Sequence, residues 1–273
     1  MPGITAVSRC GAGERETGVS QQPGRPALGR TALVSGGSRG IGAAIVRRLA
    51  ADGWDIGFSY TGDGPAAREV EKDAWELGVR VTGTDVDLTD AAEVSSWFRL
   101  AEEELGPVRA VVCCAGLTRE RPLRLVAEAE WRAFIDTSLH GVFHLCRTAV
   151  FTMMKRREGR IVAVSSACGE YDHAPDGHDT LARPGVAGFT RALAGQARRF
   201  GISVNAVTPG PGVPARGVTA LMPEKARADL AETIALRRFG SAAQVADLVA
   251  FLLSADAPEI TGRVLEVPSA IPS

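Results

Sequence analysis

The chain has 273 residues, is 45% hydrophobic and carries a formal net charge of −1. That length and apolar content suffice for one sizeable core, and the near-neutral balance gives no reason to expect nucleic acid or an anionic membrane as a partner. No apolar run reaches about 18 residues, as a membrane-spanning helix would need, and Met1 to Arg30 holds no apolar block of secretory type.

Residues 1–29 mix Gly, Pro, Ser, Gln and Arg without periodicity and are expected to be a disordered N-terminal extension, leaving 30–273 as one domain. From Thr31 onward strand and helix patterns alternate. Strands are predicted at Thr31–Ser35, Asp55–Tyr60, Arg80–Thr84, Ala110–Cys114, Arg160–Ser165, Ser203–Val207 and Val264–Val267. Helices are predicted between them at Ile41–Ala51, Ala66–Leu77, Ala91–Leu105, Glu128–Arg156, Val186–Phe200 and Ala242–Leu253. In the fifth of these, Phe189, Leu193 and Ala197 recur at helical spacing while Arg191, Arg198 and Arg199 fall off the stripe. Strands and helices alternating through short connections imply parallel strands, hence an α/β single-domain doubly wound (Rossmann) sheet of about seven strands with helices on both faces. A ligand in such a sheet sits beyond the carboxyl ends of the strands. The cysteines, Cys10, Cys113, Cys114, Cys146 and Cys168, lack C-x-x-C spacing, which predicts a cytoplasmic protein with reduced thiols, no disulfide framework and no metal site.

Val34-Ser35-Gly36-Gly37-Ser38-Arg39-Gly40-Ile41-Gly42 follows the first strand and opens the first helix. Glycines there let the backbone turn and approach a pyrophosphate, and the helix start supplies unpaired N–H groups. The spacing of Gly36, Gly40 and Gly42 resembles the short-chain dehydrogenase/reductase family, and most of all its β-ketoacyl-carrier-protein reductases. The likeness runs from about Thr31 to Val267. It takes in Asp87-Leu88, Glu104 to Val108, Ala115-Gly116, Ile135 to Thr137, Gly159 to Val162, Asn205 to Gly210 and Ile260 to Gly262. By this resemblance Gly36, Ser38, Arg39, Gly40, Ile41 and Gly42 hold a pyrophosphate and Asp87 and Leu88 hold an adenine. Ala115, Gly116, Pro209 and Gly210 line the rest of the cofactor's path. An NAD enzyme needs an acid at the end of the second strand, where this chain has Tyr60, while Arg39 offers a cation to a 2′-phosphate; the expected cofactor is NADP(H).

The family's chemistry uses a tyrosine as proton donor and a lysine four residues later on the same helix face, which lowers the phenol pKa. A serine and a helix asparagine complete the set. An ungapped alignment between Ser165 to Gly169 and Gly185 to Thr190 keeps the serine as Ser166 and puts Asp179 and Arg183 in the places of the tyrosine and lysine. Ser138 takes the place of the asparagine, and Cys113-Cys114 replaces a pair of asparagines as small buried residues. Pro214 stands where a carboxamide-binding threonine is usual. An aspartate is a poor donor to a carbonyl, and an arginine at i+4 favours its ionised form. Pro184 is expected to start the helix, which would leave Asp179 and Arg183 in a remodelled loop with Glu170 to His178. Within that loop Tyr171, His173 and His178 read either as plain loop residues or as a replacement acid, a role open to each of them. His140, on the long helix, reads as a packing residue.

Three functions stay open. The first is an NADPH-linked ketoreductase of variant mechanism acting on a polyketide- or acyl-type carbonyl, as a small molecule or carrier-bound substrate. The second is an inactive partner of an active reductase, in a homo-oligomer or hetero-oligomer packed through the long helices. The third is a redox-neutral cyclase, lyase or dehydratase with Asp179 as base. Arg156, Arg157, Arg198 and Arg199 read as solvated cations at helix ends or, if the substrate rides on an acidic carrier, as a docking patch expected near the pocket mouth.

Overall fold

The computed structural model describes residues 29–116, 123–165, 179–209, 224–225 and 240–267. Seven parallel strands form one sheet in the order β3-β2-β1-β4-β5-β6-β7. They are β1 (Thr31–Ser35), β2 (Asp55–Tyr60), β3 (Val81–Asp85), β4 (Val108–Cys113), β5 (Gly159–Val164), β6 (Ile202–Pro209) and β7 (Val264–Val267). The order reverses at β1, so the crevice between the carboxyl ends of β1 and β4 is the switch point at which this sheet type binds ligands.

Alternation along each strand feeds two separate cores. Ala32 and Val34 of β1, with Ile56 and Phe58 of β2, face α1 (Gly40–Ala51), α2 (Gly64–Glu76) and, near the chain end, a helix at Ala242–Leu253. Leu33 of β1 and Val111 of β4 face the opposite way, onto α3 (Ala91–Leu105), α5 (Gly141–Arg156) and α6 (Asp179–Ala197). The Ala242–Leu253 helix, α7, starts on a capping box in which Ser241 and Gln244 exchange hydrogen bonds. Asp90 caps α3 in the same spirit, accepting from the Ala92 and Glu93 amides.

Two helices depart from the sequence reading. The predicted Glu128–Arg156 helix is α4 (Glu128–Ile135), a π turn over Asp136–His140, and then α5. Thr137 Oγ1 donates to the Ala133 carbonyl at 2.9 Å, a competition with the backbone ladder of the kind that widens and bends helices. The widened turn lets Gly141 approach Leu88, where a Cβ would stand 3.2 Å from the leucine Cβ.

The other departure is α6, which starts at Asp179 and carries Pro184 inside it. The expectation that Pro184 opens the helix, with positions 179 and 183 on a loop, is therefore corrected. Proline in a helix interior costs about 3 kcal/mol. Here the burial of Val186, Ala194 and Ala197 in the core against the sheet offsets it.

Most of the matched motif blocks find structural reasons. Buried Asn205 donates to the Ile260 carbonyl at 2.8 Å and accepts from the Arg263 amide at 3.1 Å, tying β6 to the entry of β7. Thr261 Oγ1 accepts from the Val204 amide at 3.1 Å. Among the described residues no helix is long and apolar enough to cross a membrane.

Candidate functional site

The turn from β1 into α1 is shaped by what its glycines lack. Gly36 has φ +71, and a Cβ there would stand 2.8 Å from Ala115 Cα. A Cβ on Gly37 would overlap the Phe58 ring, and one on Gly42 would overlap the Gly36 carbonyl oxygen. Only glycine permits the β1–α1 turn to close against the end of β4. A small hydroxyl and a backbone carbonyl then pin it. Ser35 Oγ accepts from the Cys114 and Ala115 amides at 3.0 and 3.1 Å, and the Gly37 amide donates to the Ser59 carbonyl at 2.8 Å. Ser35 was not anticipated as a brace; its place at the last position of β1 was the available signal.

No side chain caps α1: its N-cap residue, Arg39, is extended and makes no capping bond. Among the described residues the first-turn amides therefore have no side-chain acceptor, the arrangement in which helix starts receive anions. Ser38 and Ile41 are buried beneath that turn, and Gly40 has φ +54. The cradle fits a dinucleotide pyrophosphate in shape and in donor chemistry.

Arg39 is not a free cation. Its Nη1 lies 2.9 Å from Asp63 Oδ2, and Asp63 Oδ1 accepts from the Ala66 amide at 3.2 Å as the N-cap of α2. Tyr60 does end β2, yet an acid stands three residues further on, in the turn. The signal missed in the sequence was Asp63-Gly64-Pro65, a capping residue followed by a first-turn proline. Burial, then the Asp85 and Glu71 carboxylates, raise the Tyr60 phenol pKa, and Arg68 opposes them.

After β3, Asp87 is exposed and accepts from the Thr89 amide and hydroxyl at 2.8 and 2.7 Å. Leu88 is buried, and its carbonyl accepts from His144 Nδ1 at 3.1 Å. After β4, Gly116 is exposed, and the nearest atom to where its Cβ would stand is Ser138 Oγ at 3.9 Å. The π turn thus carries Ser138 to the end of β4. A Cβ on Gly185 would stand 3.0 Å from Leu139 Cδ2, so α6 runs close by that turn, with positions 179 and 183 one turn apart on it.

Cys113 is buried with its Sγ 3.7 Å from Cys146 Sγ. That hydrogen bond and burial push the Cys113 thiol pKa well up. Burial, then Cys113, pushes Cys114 up to about 12. A thiol held protonated in this way is a weak nucleophile near neutral pH.

Gly36 to Gly42, Asp87-Leu88, Ala115-Gly116 and Pro209 all lie at the carboxyl end of the sheet. Ser166, Tyr171, His173, His178, Gly210 and Pro214 lie outside the described residues.

Two expectations are overturned. His140 is not a packing residue; its side chain is 59% exposed and its Nδ1 lies 2.8 Å from Asp136 Oδ1. The arginines proposed for the pocket mouth stand at the opposite edge of the sheet. Arg156 donates to the Val108 carbonyl at the start of β4 and to Glu102, and Arg157 donates to the Arg199 carbonyl just before β6. Cations that end helices α5 and α6 must lie where strands begin, because each crossover returns the chain to that edge.

A parallel sheet with a glycine turn at its switch point defines a nucleotide-binding class of protein. A family model described as "Enoyl-(Acyl carrier protein) reductase" matches residues 36–269. The 3-oxoacyl-[acyl-carrier-protein] reductase FabG of Staphylococcus aureus is 33% identical over 238 residues, 87% of this chain and 96% of that enzyme. Its namesake in Escherichia coli K12 is 34% identical over 239 residues, 88% of this chain and 96% of that enzyme. A short-chain dehydrogenase/reductase from Serratia marcescens superposes with a TM-score of 0.81 at 27% identity, covering 90% of this chain and 98% of that one. The chain belongs to the short-chain dehydrogenase/reductase family.

Proposed function

We propose that residues 30–273 form a single reductase domain that works with NADP(H) on a biosynthetic carbonyl of polyketide or acyl type, small or carrier-bound, using a variant proton-donor set. The observation that carries this reading is the glycine cradle. Gly36 at φ +71 against Ala115, and Gly42 against the Gly36 carbonyl, hold a turn whose shape serves a pyrophosphate. The likeness to 3-oxoacyl-carrier-protein reductases supports the substrate class. Bound NADPH would supply the hydride.

The chain's own residues have the remaining work. The first-turn amides of Gly40 to Gly42, with Ser38, would hold the pyrophosphate, and Arg39 would meet a 2′-phosphate. Asp87 and Leu88 would hold the adenine, and Ala115, Gly116, Pro209 and Gly210 the nicotinamide half. Ser166 donates a hydrogen bond to the substrate carbonyl oxygen. Asp179 and Arg183 occupy the usual tyrosine and lysine positions, one turn apart on α6. An aspartate is by its ordinary acidity a poor proton donor to a carbonyl near neutral pH. The proton therefore comes from Tyr171, from His173 or His178, or from water. General-acid help is worth about 10²–10⁴-fold, so turnover without the usual donor is slow rather than absent.

A second reading, a partner subunit without turnover of its own, draws on one surface. Phe143 and Phe151 of α5 are exposed, beside a groove lined by Val150, Met154, Leu193 and Phe200 between α5 and α6. Such a face suits packing against a second short-chain subunit, identical or related.

Titration of the intact chain with NADPH, followed by an oxidation assay on 3-oxoacyl thioesters, tests both. Saturable binding with slow NADPH oxidation supports the reductase. Binding with turnover only when an active relative is added supports the partner role. Substrate conversion without NADPH consumption, or no binding at millimolar cofactor, sinks the reductase.

A further inference from the structure

Four groups meet where β2 ends and α2 begins, and they pull a bound ribose in opposite directions. Arg39 comes from the glycine turn and pairs with Asp63 at 2.9 Å. Asp63 is fixed by its other oxygen to the Ala66 amide, so α2 itself holds the carboxylate in place. Gly64 follows, and the atoms nearest its missing Cβ are Arg68 Nη1 at 3.3 Å and Tyr60 Oη at 4.0 Å. Arg68 is exposed and stands one turn into α2, beside the start of that helix.

A ribose with free hydroxyls donates well to a carboxylate, while a ribose 2′-phosphate is repelled by one and attracted by guanidinium groups. Asp63 therefore acts twice against the phosphate. It neutralises Arg39, and it adds a negative charge beside the place Arg39 serves. Yet the pair is half open to water, with side-chain exposures of 50% for Arg39 and 29% for Asp63, and pairs so exposed separate easily. It can yield to a dianion without excluding it.

We propose that Asp63 sets this chain's discrimination between phosphorylated and unphosphorylated adenosine riboses, as a gate on Arg39, and that Arg68 is the second guanidinium of the 2′-phosphate subsite. The gate rests on the reading that the cradle binds a dinucleotide. With Asp63 paired to Arg39, the preference for NADPH over NADH is held down; with the pair opened, Arg39 and Arg68 both engage the phosphate. The choice of cofactor is thus made by the turn after β2, not by the last residue of that strand.

Asp63→Asn is the discriminating variant, because asparagine caps α2 as well as aspartate does while removing the charge. Binding is read by calorimetry for NADPH, NADH and the fragments 2′,5′-ADP and 5′-AMP, with circular dichroism confirming the fold. Asp63→Asn should tighten NADPH and 2′,5′-ADP by about tenfold, the worth of one charge-assisted hydrogen bond, and leave NADH unchanged or weaker. Arg68→Gln should weaken 2′,5′-ADP several-fold and leave 5′-AMP unchanged. An Asp63→Asn selectivity ratio equal to or below that of the wild type overturns the gate. An Arg68→Gln loss shared equally by both fragments overturns the second guanidinium. If neither cofactor nor fragment binds any of these proteins, the dinucleotide reading falls and the gate with it. If all bind and the ratio does not move, the gate alone falls.

Discussion

At the edge of the sheet where strands begin, long charged side chains do the joining. Arg80 donates to Asp55 Oδ2 at 2.7 Å and to the Glu104 and Leu105 carbonyls at 3.0 and 2.6 Å, binding β2 to the end of α3. Arg156 joins α5 to Glu102 and the start of β4, and Arg109 meets Glu158 across β4 and β5. At the edge where strands end, near the glycine turn, the joints are short hydroxyls and bare backbone: Ser35, Ser59, and glycines packed against Ala115 and Phe58. One edge fills its surface with side chains; the other removes them so that a ligand's phosphates can reach the amides. Stability and binding are thereby assigned to opposite ends of the same strands. Substitutions should separate the two.

The largest effect is expected from Gly42→Ala. Its methyl would overlap the Gly36 carbonyl, so the turn must open, and NADPH binding should be lost in a titration even where the protein stays folded. Arg80→Ala comes next. It takes the guanidinium from the buried Asp55 carboxylate, which keeps the residue-80 amide, and from the Glu104 and Leu105 carbonyls, at a cost of about 3 kcal/mol in a denaturant melt, while the cofactor Kd stays within about twofold. A comparable loss of affinity in Arg80→Ala would show that the edges are coupled after all.

A smaller effect sits at the ligand edge itself, on Cys114 just after β4. The folded state holds the Cys114 proton tightly, with a pKa of about 12 against an ordinary value of 9.0. Its contribution is fully present below pH 9, where the unfolded thiol is also protonated, and is lost as pH rises from about 9 towards about 12. Thermal melts from pH 8 to 11 should therefore fall less steeply in Cys114→Ala than in the wild type; parallel slopes would remove the thiol from the account. Smallest of all is Arg109→Ala, whose ion pair is exposed on both sides and should shift stability by about 0.5 kcal/mol or less.

Legibility in the sequence followed the same division between local and long-range causes. Thr31–Ser35, Asp55–Tyr60 and Val264–Val267, and the helices Ala91–Leu105 and Ala242–Leu253, match their predicted bounds because alternation and caps such as Asp90 and Ser241 are local signals. The start of α6 did not follow from the sequence, since Pro184 argues locally for a boundary that packing overrides. The π turn over Asp136–His140 leaves no mark in the hydrophobic periodicity from which one continuous helix was read. In the site, the glycine turn was legible because its residue type is forced by backbone geometry. The Arg39–Asp63 pair was not, because it joins two turns separated by a strand and a helix. The arginines at the ends of α5 and α6 were read by charge alone, and only topology shows that they face away from the ligand edge.

The central claim is hydride transfer from a cofactor held at the glycine-bearing edge. Incubating the intact chain with NADPH carrying deuterium at the transferable position and a 3-oxoacyl thioester, then weighing the product by mass spectrometry, tests it most directly. The reductase reading predicts a hydroxyacyl product bearing one deuterium, formed slowly, and none from Gly42→Ala. A product formed without deuterium, or labelled cofactor bound to saturation and left unconsumed with every thioester, would contradict it.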